Sequence, residues 1–217
     1  MRYKAVVFDL DGVIFQQRNF WRRMHKAYGT WEEGEWLTEL YLKEDFKKLV
    51  TEVVGKLWKG KGADKFHMVV RTSRYNKGVR ETITKLREAG LEMAIISSAP
   101  DELALKVRLD MGIKYNYANK IEIKDGKFTG KFFAMQDFHG KDKTLFSFCK
   151  EIGVKVKDVA VVGDGENDIS MFRIAGKAIG FNILEEEKKK IGRHCDVIVG
   201  GNDLREILPH VLEEEKQ

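Results

Sequence analysis

The 217-residue sequence has only two cysteines, Cys149 and Cys195, and no Cys-x-x-Cys or Cys/His ligand spacing. Neither a disulfide framework nor a structural zinc site is expected to organise it. It lacks any apolar run near the roughly 18 residues that a membrane span requires, so no spanning helix is expected. No leader-like stretch precedes the strand pattern of residues 3–8, which makes a cytoplasmic protein the expectation. Internal repeats and low-complexity tracts are lacking too. Glutamine is scarce, whereas Lys and Glu dominate a charged fraction of 34% against the ordinary ~25%. That bias leans toward a thermophilic source.

What is present is an alternation of two periods. The apolar runs 5–8, 93–96 and 159–162 are short, uninterrupted and followed by Gly, Ser or Asp. Continuous rather than alternating hydrophobicity suits strands buried on both faces, as in a parallel sheet. Between them lie helical stripes: Val79, Ile83 and Leu86 before Gly90; Leu103, Val107 and Met111 before Gly112; Leu145, Phe148, Cys149 and Ile152 before Gly153. The pattern predicts a doubly wound α/β core, whose ligands gather at the carboxyl ends of the strands.

Two insertions interrupt it. Residues 15–75 read as an inserted helical cap, leaving 1–14 and 76–217 as the core. They contain all four tryptophans (Trp21, Trp31, Trp36, Trp58) and 13 Lys/Arg against 8 Asp/Glu, which accounts for the whole +5 of the chain. A positive cap would concentrate anionic substrate; a solvated helix surface is the plainer reading. The second insertion alternates around Asp125-Gly126, a hairpin signal that predicts a small β flap. Residues 213–217 read as a frayed helix end.

Four segments at strand ends carry chemistry: Asp9-Leu10-Asp11-Gly12, then Ser97-Ser98, then Lys141, then Gly163-Asp164-Gly165-Glu166-Asn167-Asp168. Asp9 is placed to attack phosphorus, splitting a slow hydrolysis into two displacements through an aspartyl-phosphate. Asp11 could protonate the leaving oxygen and then activate water, and Gly12 lets the chain turn sharply. Carboxylates so close repel unless a cation joins them. Magnesium, which takes oxygen ligands, fits Asp9, the Asp11 carbonyl and Asp164, with Asp168 orienting from behind. Capping of the next helix is the competing account of Asp9 and Asp11. A hydroxyl and N–H at Ser97 would meet phosphate oxygens, with Ser98 as the competing choice. Lys141 would neutralise charge on the transferred group, with Lys143 nearby.

In their order these segments resemble the haloacid dehalogenase superfamily of aspartyl phosphotransferases, whose core is Rossmann-like. Residues 78–208 look like the phosphoserine phosphatase subgroup, in the Gly163-to-Phe172 stretch, the 123–130 flap and the late Asp203-Leu204-Arg205-Glu206-Ile207-Leu208. The resemblance implies a magnesium-dependent phosphatase of a small phosphate ester, with Asp9 as nucleophile, Asp11 as acid and base, and Asn167 in the phosphate environment. The subgroup's spacing, its lysine 23 residues before the first Asp of the last motif, selects Lys141. The sequence departs from the subgroup at Val13, where a threonine is usual, and at Arg18, where a glutamate receives the serine ammonium. Arg18 would instead attract a second anionic group. Trp21, Trp31 or Trp36 could stack on an aromatic substrate, or form the core of the cap. Alternatives are phosphoserine phosphatase proper, or an RNA- or protein-binding protein on a phosphatase scaffold, suggested by aromatics interleaved with Arg22, Arg23 and Lys26. Asp11 argues against a dehalogenase, which has no alkoxide to protonate.

Overall fold

The computed structural model describes residues 2–135 and 139–212; the expectation for residues 213–217 lies outside them. Strand β1 (Ala5–Phe8) is central in a seven-stranded sheet ordered β4-β3-β2-β1-β5-β6-β7. Its neighbours are β2 (Glu92–Pro100) and β5 (Val159–Gly163), both parallel to it. Strands β6 (Lys177–Phe181) and β7 (Val197–Val199) extend one side in parallel. Register aligns Phe8 with both Ile95 and Val162. The residues that follow, Asp9, Ser97 and Asp164, therefore emerge along one edge.

Every residue of β1 is buried, as an uninterrupted apolar run requires when both faces are covered. Val6 and Phe8 join one core cluster, and Ala5 and Val7 the other, on the opposite face. Helices α5 (Val79–Glu88), α6 (Asp101–Met111) and α7 (Lys141–Ile152) fall where the stripes and their glycine stops predict. The doubly wound α/β core read from the sequence is thus present.

Residues 15–75 form helices α1 (Phe20–Tyr28), α2 (Trp31–Tyr41), α3 (Phe46–Glu52) and α4 (Asp64–Arg71), with a π-helical turn at Val53–Leu57 continuing α3. Trp58 is fully buried there, against Trp21, His25, Tyr28 and Phe128.

Two details differ from expectation. The β2 strand does not end at Ile96 but continues through Ser97 to Pro100, with an irregularity in its pairing. The expected hairpin is present, but it grows out of the main sheet, because β3 (Tyr115–Lys124) is one strand with two partners. Its first half pairs in parallel with β2 and its second half antiparallel with β4 (Lys127–Phe133). The turn has φ of 49° at Asp125 and 70° at Gly126, the left-handed pair that matches strand twist in a two-residue hairpin. Beyond the turn the hairpin joins the helical segment 15–75: Gly60 N–H donates to Phe128 O, Ala63 N–H to Gly126 O and Phe128 N–H to Lys61 O. Among the described residues no helix is long and apolar enough to cross a membrane.

Candidate active site

Asp9 leaves β1 buried, with 3% of its surface exposed. One oxygen accepts the Leu10 N–H at 2.7 Å. The other lies 3.0 Å from Lys141 Nζ and 3.5 Å from Asn167 Nδ2. Lys141 begins α7 and is wholly buried, and its ammonium also meets Asp168 Oδ1 at 2.7 Å. Burial works against that charge, but Asp168 and Asp9 outweigh it and hold the lysine above its ordinary pKa. Asp168 turns its other oxygen back to the N–H groups of Asp164 and Gly165, and so shapes the loop after β5.

Asp9, Asp164 and Asp168 each offer an oxygen within 4.8 Å of the others, and all are buried. Burial first, then Asp168 and Asp9, push the Asp164 carboxyl well above the ordinary carboxylate range. With one buried ammonium among three carboxylates, the donor set is all oxygen and short of positive charge, which suits a hard divalent cation. The side chain of Asp11 stands outside this trio. It accepts the Phe20 N–H at 2.6 Å and the Gln17 amide at 3.2 Å. Any part of Asp11 in holding a metal falls to its main-chain carbonyl. Burial, aided by Asp9, raises its carboxyl to about 7 against the Phe20 hydrogen bond.

Gly12 has φ of 75°, and a Cβ there would lie 1.8 Å from Asp164 Oδ2. We expect Gly12→Ala to displace Asp164 and weaken divalent-ion binding at least tenfold by titration calorimetry. An unchanged affinity would show that the close approach is dispensable.

The Ser97 hydroxyl is buried and accepts the Ala99 N–H at 3.2 Å, which leaves its own proton to donate. Ser98 also lines the cavity, but its carbonyl is taken by Trp21 Nε1 and Asn119 Nδ2. Arg18 lines it too, with its guanidinium engaged by Asp164 Oδ2 at 3.2 Å and by the Asn182 carbonyl. The cation expected to meet a second substrate anion already holds a carboxylate. Trp21 stacks on Trp58 at 6.0 Å while bordering the cavity, so it is a cap-core residue with one side on the site. Trp31 and Trp36 do not line the cavity, contrary to the stacking expectation. Trp31 lies under Arg22 and Lys26, and Trp36 is 60% exposed.

Three supporting residues carry no local sequence signal. Asn76 donates to the carbonyls of Gly12, Val13 and Phe15, fixing the turn behind Asp11. Gln17 orients Asp11 and is itself held by Arg23, which also reaches Ser73. Asn76 and Arg23 depend on partners brought near by the return of the chain from residues 15–75, whereas Gln17 meets Asp11 and Arg23, six residues away on either side.

The sequence profile of the haloacid dehalogenase-like hydrolases matches residues 3–176. A phosphoserine phosphatase of Methanocaldococcus jannaschii is 30% identical over 211 residues, covering 96% of this chain and 97% of that protein. One of Streptococcus thermophilus is 29% identical over 181 residues, covering 81% and 82%. Among solved structures, a phospho-aspartyl intermediate analogue of phosphoserine phosphatase superposes with a TM-score of 0.83 at 28% identity, covering 97% of this chain and all of that one.

Proposed function

Because the chain belongs to the haloacid dehalogenase-like hydrolases, we propose that it is a magnesium-dependent phosphomonoesterase of small phosphorylated metabolites, working through an aspartyl-phosphate. The observation that carries this reading is the pairing of Asp9 with Lys141 at 3.0 Å beneath a separately held Asp11. The ammonium gives the Asp9 carboxyl a fixed counter-charge and, with the Leu10 N–H, a fixed orientation for attack. Asp9 attacks phosphorus as the bond to the leaving oxygen breaks, and Asp11 gives that oxygen its proton. Asp11, now a carboxylate, takes a proton from the water that attacks the aspartyl-phosphate, which releases phosphate and restores Asp9. A pKa near 7 makes both forms of Asp11 accessible at neutrality. Ser97 and Asn167 would hold the phosphoryl oxygens.

Asp9, Asp164 and the Asp11 carbonyl would hold the magnesium, with Asp168 fixing Asp164 through its backbone. When bound there, the ion supplies positive charge against the phosphoryl oxygens and the nucleophile. Arg18 is paired with Asp164 Oδ2 at 3.2 Å and would share that carboxylate with the ion. Arg18→Ala should tighten magnesium binding by up to about fivefold, the worth of a partly exposed ion pair. Calorimetric titration tests this, and weaker binding by the variant would contradict it.

Phosphoserine is the second substrate reading, favoured by the names of the similar proteins. Recognition of RNA through the cap finds little support, since Arg23 is turned inward to Gln17 and Ser73 and Arg22 is paired with Glu35. Phosphate release across phosphoserine, sugar phosphates and nucleotides, with magnesium and with chelator, tests the proposal. Metal-dependent release is expected. No release from any ester by the folded protein would overturn it.

A further inference from the structure

The cap side of the cavity bears on which alcohol the phosphoryl group leaves. Phe46, Leu49, Val50, Val53 and Val54 fall at i, i+3, i+4, i+7 and i+8 along α3 and its π-helical continuation, and Leu42 stands just before them. That spacing is the apolar stripe of an amphipathic helix. All six line the same cavity as Asp9, Asp11 and Ser97. Lys47, Lys48, Thr51 and Lys56 occupy the exposed side of the same segment. The stripe therefore covers part of the protein core and also forms one wall of the active-site cavity.

The charged groups that could meet a polar leaving group from the cap are already paired. Arg18 is held by Asp164 and the Asn182 carbonyl, and Arg22 by Glu35 at 2.6 Å. Lys43 meets Glu166 at 2.7 Å, and Glu166 also meets Lys190 at 2.7 Å. An alcohol carrying an ammonium or a second carboxylate would lose water against this wall without gaining a partner there. The cavity volume, about 460 Å³, falls among pockets that enclose ligands well beyond three carbons.

We propose that the leaving alcohol of the preferred ester is an extended apolar one, alkyl or aryl, whose hydrocarbon lies along the Phe46–Val54 stripe while its phosphoryl group sits at Asp9. The inference rests on the phosphomonoesterase reading and specifies its substrate class. Burying one methylene gains about three- to fourfold in binding.

The test is kcat/KM for methyl, butyl, hexyl and octyl phosphate, with 1-naphthyl phosphate and phosphoserine alongside. In parallel, calorimetry with the matching alkylphosphonates is run on Asp9→Asn, so that binding is read without turnover. The expected result is a rise of about threefold per methylene in both series until the cavity is filled, with naphthyl phosphate well above phosphoserine. Val50→Thr, which keeps the shape of the wall and adds a hydroxyl, should flatten the slope. A flat or falling series with methyl phosphate still turned over would overturn the apolar assignment and leave the phosphatase intact. A length-dependent phosphonate affinity with no ester hydrolysed would do the reverse, keeping the pocket and removing the reaction. Preference for phosphoserine over every alkyl ester would also overturn the assignment.

Discussion

Asp9→Asn lowers phosphate release by on the order of 10⁴- to 10⁶-fold, the scale seen when a nucleophile is removed from an otherwise intact site. The expectation follows from how completely Asp9 is engaged. One oxygen accepts the Leu10 N–H and the other faces Lys141 and Asn167, so the carboxylate is locked in one orientation at the end of β1. An amide can satisfy only one of these directions as an acceptor. It turns its NH₂ group toward either Leu10 N–H or Lys141, and it is a poor nucleophile in both poses. The loss of one charge-assisted contact is partly offset by relief of repulsion with Asp164 and Asp11. Stability should therefore change by no more than about 1–2 kcal/mol. Phosphate release by pure protein, alongside urea unfolding, measures both. Appreciable residual turnover would remove Asp9 from the nucleophile's role.

The second large effect is on the fold as well as on the chemistry. Lys141→Met leaves Asp9 and Asp168 facing each other across a fully buried position with no counter-charge. Breaking a buried pair in this way costs roughly 3–5 kcal/mol, a large share of the 5–15 kcal/mol that separates typical folded and unfolded states. Activity should fall together with stability, since in the proposed reaction the same ammonium would steady the transferred phosphoryl group. The pH dependence of the wild type gives a further check. The folded-state pKa of Lys141 lies above the ordinary 10.5. Its contribution is therefore complete below that value and is lost only as pH climbs through the higher folded one. Wild-type stability should therefore lose this contribution only in strongly alkaline solution, whereas Lys141→Met should lack it at neutral pH. Urea midpoints for both proteins at neutral and alkaline pH test this. A variant as stable as the wild type at neutral pH would mean that the buried carboxylates find another partner.

Three of the four motifs were legible because each lies within a few residues of a strand end whose burial is written in a local apolar run, whereas Lys141 stands not at a strand end but at the start of α7, eight residues after β4, and was selected by its spacing. Ala5–Phe8 and Val159–Gly163 needed nothing from the rest of the chain to be recognised, and their parallel register brought Asp9 and Asp164 together. Contacts that join distant segments were not legible. Arg18 and Asp164 are 146 residues apart, and Asn76 reaches back 64 residues to Gly12. The hairpin's place in the main sheet was missed for a similar reason. The alternation around Asp125-Gly126 reports the turn, while the parallel pairing of Tyr115–Tyr117 with β2 depends on a partner strand about twenty residues away. The tryptophans show the ambiguity of composition: Trp58 and Trp36 read alike in sequence, yet one is fully buried and the other 60% exposed.

The hydrogen bonds between residues 60–63 and the hairpin bear on how the site can be entered. A cap joined to its core only by two linkers can swing as a door on one side. This cap has a third attachment, through the main chain of β3 and β4, to the edge of the core sheet. Separating the cap from the hairpin would unpair three backbone N–H and three C=O groups, whereas carrying the hairpin along leaves them bonded. The backbone bonds therefore favour a cap and hairpin that keep their mutual arrangement, joined to the core sheet through β3 where its partner changes from β2 at Asn119 to β4 at Lys120.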